Sequence, residues 1–576
     1  MPTIKPKCAD YSEVFDSFEG IGKAAKKRQF PAAALQNFRI LPDGSLEKRC
    51  GFLLQHHFSA AIRGIWQGLL NGQSAFFAVA GNKVYARRDT DFEEVFTLTT
   101  SSGDVNLFAY RSHLYLMDGT EIYLYRESEN TFSAVKGYVP KIGRNWHPTT
   151  MGDFAESLNL LTDRVRIGYQ NSDGSRRFEL PYAAASIDSV RADGKRITDF
   201  TFTPGASHFT LPEIYSWVEI GMTLQDAEDM SQQIKKAVYC LCERLHDKER
   251  LFLYGGSEGT YVFGCGEVSD FMMTSCLADY TDVDHLYFTN EMMLTIGNSA
   301  NPVTAMFKNH DRLLAFHAHG AEAISVIDST DLLKFPDRVS SYSVLRNCGC
   351  TAHYPHVEWD NQTVLVNYGG IYLLSSNASD PDRFELNPIS HQIEELKTAS
   401  FAENAAVFYD APHGEYWFYD KAHGSCVWVY QAKEKNWYSF TGFAPSMFLS
   451  VQGRSGFVQG NGCFLFDESQ FSDNGEPIRA LLESNVLDFD SPETVKRALR
   501  IGLLAECFGT SLDIKLWSEN RKKEFSQKLD KAASGGLPIH LDRRVGLGRF
   551  RILRISVADN GYIRSRIHRL ALFANS

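Results

Sequence analysis

The chain has 576 residues, 44% of them hydrophobic and 22% charged, with a formal net charge of −11. This length exceeds one hydrophobic core and predicts about three to four domains. The negative charge disfavours nonspecific coating of nucleic acid, which rests on many cationic contacts to phosphate. No run of about 20 apolar residues predicts a membrane span, and residues 1–8 lack an apolar signal sequence. The 11 cysteines are expected to be mostly reduced thiols in a protein made in a reducing cytoplasm.

Residues 1–60 are predicted to form an N-terminal arm that contains a hairpin. Pro42, Asp43 and Gly44 make a strong turn signal between two apolar runs, which indicates two short antiparallel strands. In a closed ring of sheets, an N-terminal strand often pairs with the last sheet, and this hairpin is a candidate for that role.

Residues 61–145 contain two copies of a four-strand unit, one from Ile62 to Thr99 and one from Asn106 to Val135. Each copy has four short runs of largely alternating apolar and polar residues, which is typical of antiparallel strands. Similar turn-glycine markers recur downstream at spacings of about 40–60 residues, which favours a β-propeller of six or seven blades. These markers are Gly259, Gly320, Gly370, Gly414 and Gly462. The propeller is therefore predicted to occupy residues 61–145 and 237–471.

Residues 146–236 separate the two propeller parts and have a pattern of their own. Short apolar runs broken by Asp-Gly turns at Asp173 and Asp193 predict a small inserted β-sandwich. Its exit, residues 223–237, is predicted to be the one helix of an otherwise all-β chain.

Residues 472–576 are predicted to form a separate C-terminal β domain with longer strands and a partly basic surface. Strict strand alternation would place Arg549 and Arg551 on one face. Arg543 and Arg544 add to this positive charge.

Catalytic motifs are weak, so we expect a non-enzymatic protein without a cofactor. Ser257 lies in a Gly-x-Ser-x-Gly stretch, but strand-like segments on both sides favour a hairpin turn over a nucleophile elbow, which needs a following helix. Asp279, Asp282 and Asp284 could serve a hydrolase or a cation, although a solvated loop between strands is the more common explanation.

Cys348, Cys350, His353 and His356 form the most metal-like group, since four such ligands can bind zinc tetrahedrally. Their spacing is compressed, which favours buried thiols and surface imidazoles.

Four aromatic side chains could form a sugar-binding platform or pack between blades, and we favour packing. They are Trp417, Trp428, Trp437 and Tyr438. A glycan-binding or glycoside-hydrolysing propeller remains an alternative; hydrolysis would require two facing carboxylates. A cytoplasmic scaffold propeller is a second alternative.

The N-terminal hairpin resembles the "N…DG.L.KR.G" opening of phage tail nozzle or hub proteins, a group that includes packaged-DNA stabilisation proteins and tail tubular proteins. The matching residues are Asn37, Asp43, Gly44, Leu46, Lys48, Arg49 and Gly51. Cys50 stands where proline is usual. The stretch from Asn159 to Thr162, followed by Asp-Gly hairpins, is similar to the β-domain often inserted in such proteins.

This resemblance implies a virion structural protein assembled in the host bacterial cytoplasm. Copies would form a ring, commonly a hexamer, that continues the head-to-tail channel, retains packaged double-stranded DNA without reading its sequence and passes it at ejection. The partners would be the head-to-tail adaptor and other tail proteins such as fibres or a needle. The basic residues Arg543, Arg544, Arg549 and Arg551 are then expected to face neighbouring subunits.

Overall fold

The fold is seen in a computed structural model of the chain. The structure describes a series of segments that together cover most of the sequence. These segments are residues 10–21, 29–88, 91–225, 230–245, 248–266, 286–309, 312–327, 338–352, 357–359, 362–377, 380–507, 511–519, 522–528 and 539–575.

Six strands precede the first blade. They are β1 (Asp10–Phe15), β2 (Ser17–Ile21), β3 (Gln29–Gln36), β4 (Phe38–Ile40), β5 (Leu46–Lys48) and β6 (Gly51–His57). Strands β4 and β5 pair antiparallel around the Asp43-Gly44 turn, so the predicted hairpin is confirmed. The Asp43 carboxylate accepts hydrogen bonds from the backbone and hydroxyl of Ser45, and Gly44 has φ +78°, a conformation that glycine adopts at little cost.

Blades 1 and 2 follow directly. Their strands are β7 (Ile62–Leu70), β8 (Gln73–Ala80), β9 (Lys83–Arg88) and β10 (Asp91–Thr97), then β11 (Asn106–Tyr110), β12 (His113–Met117), β13 (Ile122–Arg126) and β14 (Thr131–Ala134). Each blade is one antiparallel four-stranded sheet. In β12, Leu114 and Leu116 pack between blades 1 and 2, whereas Tyr115 and Met117 pack on the opposite face. Both faces are buried because a blade has a neighbour on each side.

The inserted sandwich interrupts the propeller after blade 2. Its strands are β15 (Lys141–Trp146), β16 (Arg164–Gln170), β17 (Arg177–Glu179), β18 (Ala184–Ala192), β19 (Lys195–Arg196), β20 (His208–Thr210) and β21 (Trp217–Leu224). One sheet has the order β15-β16-β21-β18-β19, and β17 pairs with β20. The core between them contains Trp146, Tyr169, Phe178 and Phe209. The sandwich starts at Lys141, slightly before the predicted boundary.

Five further blades complete the ring. Helix α1 (Ser231–Lys235) leads into β22 (Ala237–Leu245), β23 (Lys248–Gly255), β24 (Tyr261–Cys265), β25 (Phe288–Thr295), β26 (Val303–Asn309), β27 (Arg312–His317), β28 (Gly320–Ile327), β29 (Arg338–Arg346), β30 (Val357–Trp359), β31 (Gln362–Asn367), β32 (Gly370–Asn377) and β33 (Asp380–Pro388). A 3₁₀ turn (Glu394–Lys397) and helix α2 (Ala399–Asn404) precede β34 (Ala405–Asp410), β35 (Glu415–Asp420), β36 (Val427–Gln431), β37 (Asn436–Phe440), β38 (Met447–Val451), β39 (Arg454–Gln459) and β40 (Gly462–Asp467).

The described segments thus contain seven four-stranded blades, in agreement with the predicted all-β propeller. The innermost strands of blades 1 to 4 contact one another in order, as do those of blades 5 to 7, and β38 of blade 7 contacts β7 of blade 1. Blade 7 takes its outermost strand from the N-terminal segment, because β6 pairs antiparallel with β40. An N-terminal strand thus closes the ring, but the hairpin predicted for that role does not, because its strands β4 and β5 belong to another sheet. The prediction of a single helix was wrong, because α2 is a second one. No helix in the described segments is long and apolar enough to cross a membrane.

The two chain ends build a shared domain, which we call the terminal sandwich. After the short hairpin β41 (Ser472–Asp473) and β42 (Glu476–Pro477), the last strands are β43 (Ala480–Ser484), β44 (Arg497–Cys507), β45 (Ser511–Ser518), β46 (Lys522–Lys528), β47 (Ile539–Val545), β48 (Leu553–Asp559) and β49 (Ser565–Asn575). One sheet has the order β4-β5-β49-β44-β47 with β1 added to β49; the other runs β3-β43-β48-β45-β46 with β2 added to β3. The expected separate arm and separate C-terminal domain are therefore one unit, because pairing between distant strands leaves no local sequence pattern.

The second sheet of the terminal sandwich continues into blade 6. Strand β3 pairs with β37 at Gln36 and Ser439, so sandwich and propeller share one sheet. A single core contains Trp417 of blade 6, Phe466 of blade 7 and Leu503 of β44.

Candidate functional site

The motif residues of the N-terminal hairpin meet at the junction between the terminal sandwich and blades 6 and 7. Asn37, Lys48 and Arg49 are all buried, with at most 2% of their surface exposed. Gly51 is required there by close approach, since a Cβ atom would lie 1.9 Å from the Ser472 carbonyl oxygen. The motif therefore occupies an internal junction of the fold.

Arg49 connects three separate segments of the chain. Its guanidinium donates to both carboxylate oxygens of Asp473, at 2.8 and 2.6 Å, and to the Thr441 carbonyl oxygen at 2.8 Å. Its Nε donates to the Asn37 side-chain oxygen at 2.8 Å. Asn37 in turn donates to the Arg479 carbonyl oxygen and accepts the Thr441 backbone N–H. These bonds hold the hairpin against the segments that leave blades 6 and 7.

Lys48 makes a second buried link, this time inside the terminal sandwich. Its Nζ lies 3.6 Å from Asp559 Oδ1 and donates to the Gly561 carbonyl oxygen at 2.5 Å. Burial lowers the pKa of Lys48, and the Asp559 carboxylate opposes that shift. The hairpin is thereby fixed to the turn between β48 and β49.

Arg39 enters a carboxylate pair on blade 6. Its guanidinium lies 2.9 Å from Glu415 and 3.3 Å from Asp410, and its Nη1 is 2.9 Å from His413 Nε2. Glu415 also accepts a hydrogen bond from the Trp417 indole N–H. Burial opposes the charge on Arg39, but the neighbouring carboxylates raise its pKa above the ordinary value.

Asp410, His413 and Glu415 could by themselves hold a cation, because their ligand atoms lie within 4.8 Å of one another. The Arg39 guanidinium already supplies a positive charge to this group at hydrogen-bonding distance. Burial opposes ionisation of Asp410, but the hydrogen bond from His413 and the charge of Arg39 lower its pKa below the ordinary value. The arrangement is a buried ion-pair network. This network was not predicted from the sequence, although a charged residue between Phe38 and Ile40 in a buried strand was a usable signal.

The predicted zinc ligands are only partly within the described residues, because His353 and His356 lie outside them. Cys350 is buried, and burial raises the pKa of its thiol to about 11. Burial also raises the pKa of Cys348. The burial of Cys350 agrees with the preferred explanation of buried thiols. The four-ligand alternative is not tested, because two of its ligands lie outside the described residues.

The basic residues predicted at the C-terminal surface are exposed in the structure. Arg543 and Arg544 lie on β47, whereas Arg549 and Arg551 precede β48. Arg549 and Arg551 were predicted to alternate with their neighbours within one strand. That prediction was wrong, because β48 begins only at Leu553. The Arg551 backbone N–H instead donates to the Glu519 carboxylate. Their role at a subunit interface stays a prediction.

The remaining candidates separate into packing residues and one cavity residue. Trp417, Trp437 and Tyr438 are buried, so the sugar platform built from them was wrong and the preferred packing explanation is confirmed. Trp428 is only partly buried and lines a cavity. Ser257 lies in the turn between β23 and β24, which confirms the hairpin; Asp279, Asp282 and Asp284 lie outside the described residues.

No family model and no curated protein matches this chain. A chain of the crystal structure of the mitotic checkpoint complex is 8% identical, with a TM-score of 0.31, over 77% of this chain and 95% of that one. The exo-β-1,3-galactanase of Phanerochaete chrysosporium with galactose is 9% identical, with a TM-score of 0.17, over 81% of this chain and 95% of that one. A variant of that enzyme with β-1,3-galactotriose is 7% identical, with a TM-score of 0.18, over 94% and 99%. Values this low carry no argument about function.

Proposed function

We propose that this chain is a structural subunit of a phage tail hub or nozzle, where it forms a ring around the channel that packaged DNA traverses. The observation that carries the proposal is the position of the motif residues. Asn37 and Arg49, through which the sequence resembles that family, join the propeller to the terminal sandwich, and Lys48 fixes the same hairpin within the sandwich. A protein that holds DNA under pressure needs a stiff joint of this kind.

The geometry fits a rigid building block. Blade 7 is closed by the N-terminal strand β6, and the sheet of blade 6 continues into the terminal sandwich. Relative motion of the two domains would break a shared sheet and a buried ion pair. Such a block can form head-to-tail contacts that close into a ring.

The charge distribution also fits a ring around DNA. Residues 237–471 of the propeller carry 29 Asp and Glu against 14 Lys and Arg, whereas residues 1–60 and 472–576 together carry 19 against 27. An acidic surface repels phosphate and would let DNA slide. The basic terminal sandwich of one copy would attract the acidic propeller of the next.

One experiment distinguishes this proposal from the two alternatives. In virions purified from a phage whose genome encodes this chain, its copy number is measured by mass spectrometry against the major capsid protein. The proposal expects a small number of copies per particle, close to a ring number. Absence from intact particles would reject it and favour a cytoplasmic scaffold or a glycan-binding propeller.

A second measurement tests the ring directly. Native mass spectrometry and electron microscopy of the purified full-length chain, mixed with its head-to-tail adaptor, should yield closed rings of one size. A chain that stays monomeric under these conditions at low ionic strength would contradict the proposal.

A further inference from the structure

A cavity of about 500 Å³ lies where the sheet shared by blade 6 and the terminal sandwich divides. Strand β3 meets β37 only at Gln36 and Ser439 in the described pairing. Before that point the two sheets diverge, and the gap is flanked by α2 and the turn between β35 and β36. Its size falls in the range of about 300–1,000 Å³ that is typical of small-molecule sites.

One end of this cavity, which we call the blade 6 cavity, carries a hydrogen-bonded polar cluster. The Ser400 hydroxyl lies 2.7 Å from Asp420 Oδ2 and 2.8 Å from His423 Nδ1. The second Asp420 oxygen accepts the backbone N–H groups of Ala422 and His423. These bonds fix the positions of a carboxylate, a hydroxyl and an imidazole at the cavity wall.

Apolar side chains form another part of the lining, which includes one accessible aromatic ring. Trp428 is partly exposed on β36, and Leu35, Leu396 and Phe401 complete this surface. Trp417 and Trp437 of the same blade are buried, so Trp428 is the blade 6 tryptophan that a ligand could reach.

We propose that the blade 6 cavity binds a neutral saccharide. A sugar ring has an apolar face of C–H groups, which would pack on Trp428, and a rim of hydroxyls that both donate and accept hydrogen bonds. Asp420 and Glu395 would accept from these hydroxyls, and His423 and the Gln36 amide would donate to them. This mixture of donors, acceptors and one aromatic face is what orients a polar ligand in a largely apolar site.

Other ligand classes fit less well. The two lining carboxylates, Asp420 and Glu395, would repel a phosphate or another anion. An organic cation could stack on Trp428 but would make no use of the donors Gln36 and His423. The proposal goes beyond a role in the tail ring and holds or fails independently of it.

The test uses saturation-transfer difference NMR with the purified full-length chain. The probes are glucose, galactose, N-acetylglucosamine and their β-linked trisaccharides at millimolar concentration, with inorganic phosphate and tetramethylammonium as further probes. We expect transfer to at least one neutral sugar. Its affinity should fall by about tenfold or more in Trp428→Ala and in Asp420→Asn, as loss of one stacking contact or one charged hydrogen bond predicts.

The control is Tyr562→Ala, which removes an aromatic ring that is 60% exposed on the terminal sandwich. It should bind the sugar as the wild-type chain does, and circular dichroism should show all three variants folded. Transfer to none of the sugars, equal binding in Trp428→Ala, or Trp428-dependent binding of tetramethylammonium or phosphate alone would overturn the proposal. Virion copy number does not enter this test.

Discussion

The propeller holds two sandwiches, and it holds them by different chemistry. The terminal sandwich is joined through charged groups, with Arg49 paired to Asp473 and Arg39 inserted between blade 6 carboxylates. At the inserted sandwich the central group is neutral: the Asn159 amide donates to the carbonyl oxygens of Tyr138 and Leu286.

Both joints nevertheless depend on a buried asparagine that links distant segments. Asn37 connects the N-terminal hairpin to residues that follow blade 6, and Asn159 accepts the backbone N–H of Phe288 in blade 3. An amide can donate and accept at once without carrying charge, so it satisfies backbone groups where two domains meet. The difference lies in the ion pairs that connect the two domains at the terminal joint and make it costlier to break; at the inserted sandwich, the buried Glu156 pairs with Arg144 of the sandwich itself.

Arg49→Ala, which removes the central cation of the terminal joint, is expected to lower the free energy of unfolding the most. Asp473, whose side chain is 12% exposed, would remain as a mostly buried carboxylate without its partner, and breaking a buried pair typically costs about 3–5 kcal/mol. Urea unfolding followed by circular dichroism should show the loss. Arg549→Ala, at an exposed position, should stay within about 0.5 kcal/mol of wild type. Equal stability of the two variants would contradict a structural role for the motif.

A substitution at the joint of the inserted sandwich should lower the free energy of unfolding by less. Asn159→Ala leaves two carbonyl oxygens and two backbone N–H groups short of a partner, and we expect a loss of about 1–3 kcal/mol. The exposed Asn560→Ala serves as control. A loss larger than that of Arg49→Ala, measured by the same unfolding assay, would reverse the proposed ranking of the two joints.

Low pH should weaken the terminal joint because it protonates Asp410. Its folded pKa is lowered below the ordinary 3.8 by His413 and Arg39, against burial. A lowered folded pKa means stability that is present above the unfolded value and is lost as pH falls through the folded one. Below about pH 4, the wild-type chain should therefore lose its stability advantage over Asp410→Asn. Thermal unfolding between neutral pH and pH 3 measures this, and a constant gap would exclude ionised Asp410 as the cause.

The sequence predicted the local features of this fold well. Glycine turns and alternating runs indicated the blades, the Asp43-Gly44 hairpin and the inserted sandwich, because each depends on neighbouring residues. It did not predict that β1 and β5 pair with β49 and that β3 pairs with β43, since strand partners hundreds of residues apart leave no periodic signal.

Burial of charge was the second feature beyond the reach of pattern analysis. Lys48 and Arg49 belong to a recognisable motif. Their partners Asp559 and Asp473 lie far along the chain, and no sequence pattern marks them. Trp428 differs from Trp417 and Trp437 only in the open space beside it, which the sequence does not encode.

The smallest effect on stability, and the one most informative about assembly, is expected from reversing charge on the terminal sandwich. Arg549→Glu combined with Arg551→Glu should leave the unfolding midpoint nearly unchanged, because both side chains are exposed and surface substitutions usually change stability little. If basic sandwich and acidic propeller meet between copies, the double variant should form rings more weakly, and added salt should narrow its difference from wild type. Arg176→Glu, an exposed reversal on the inserted sandwich, is the control. Native mass spectrometry that finds intact rings in the double variant at low ionic strength would remove these arginines from the interface.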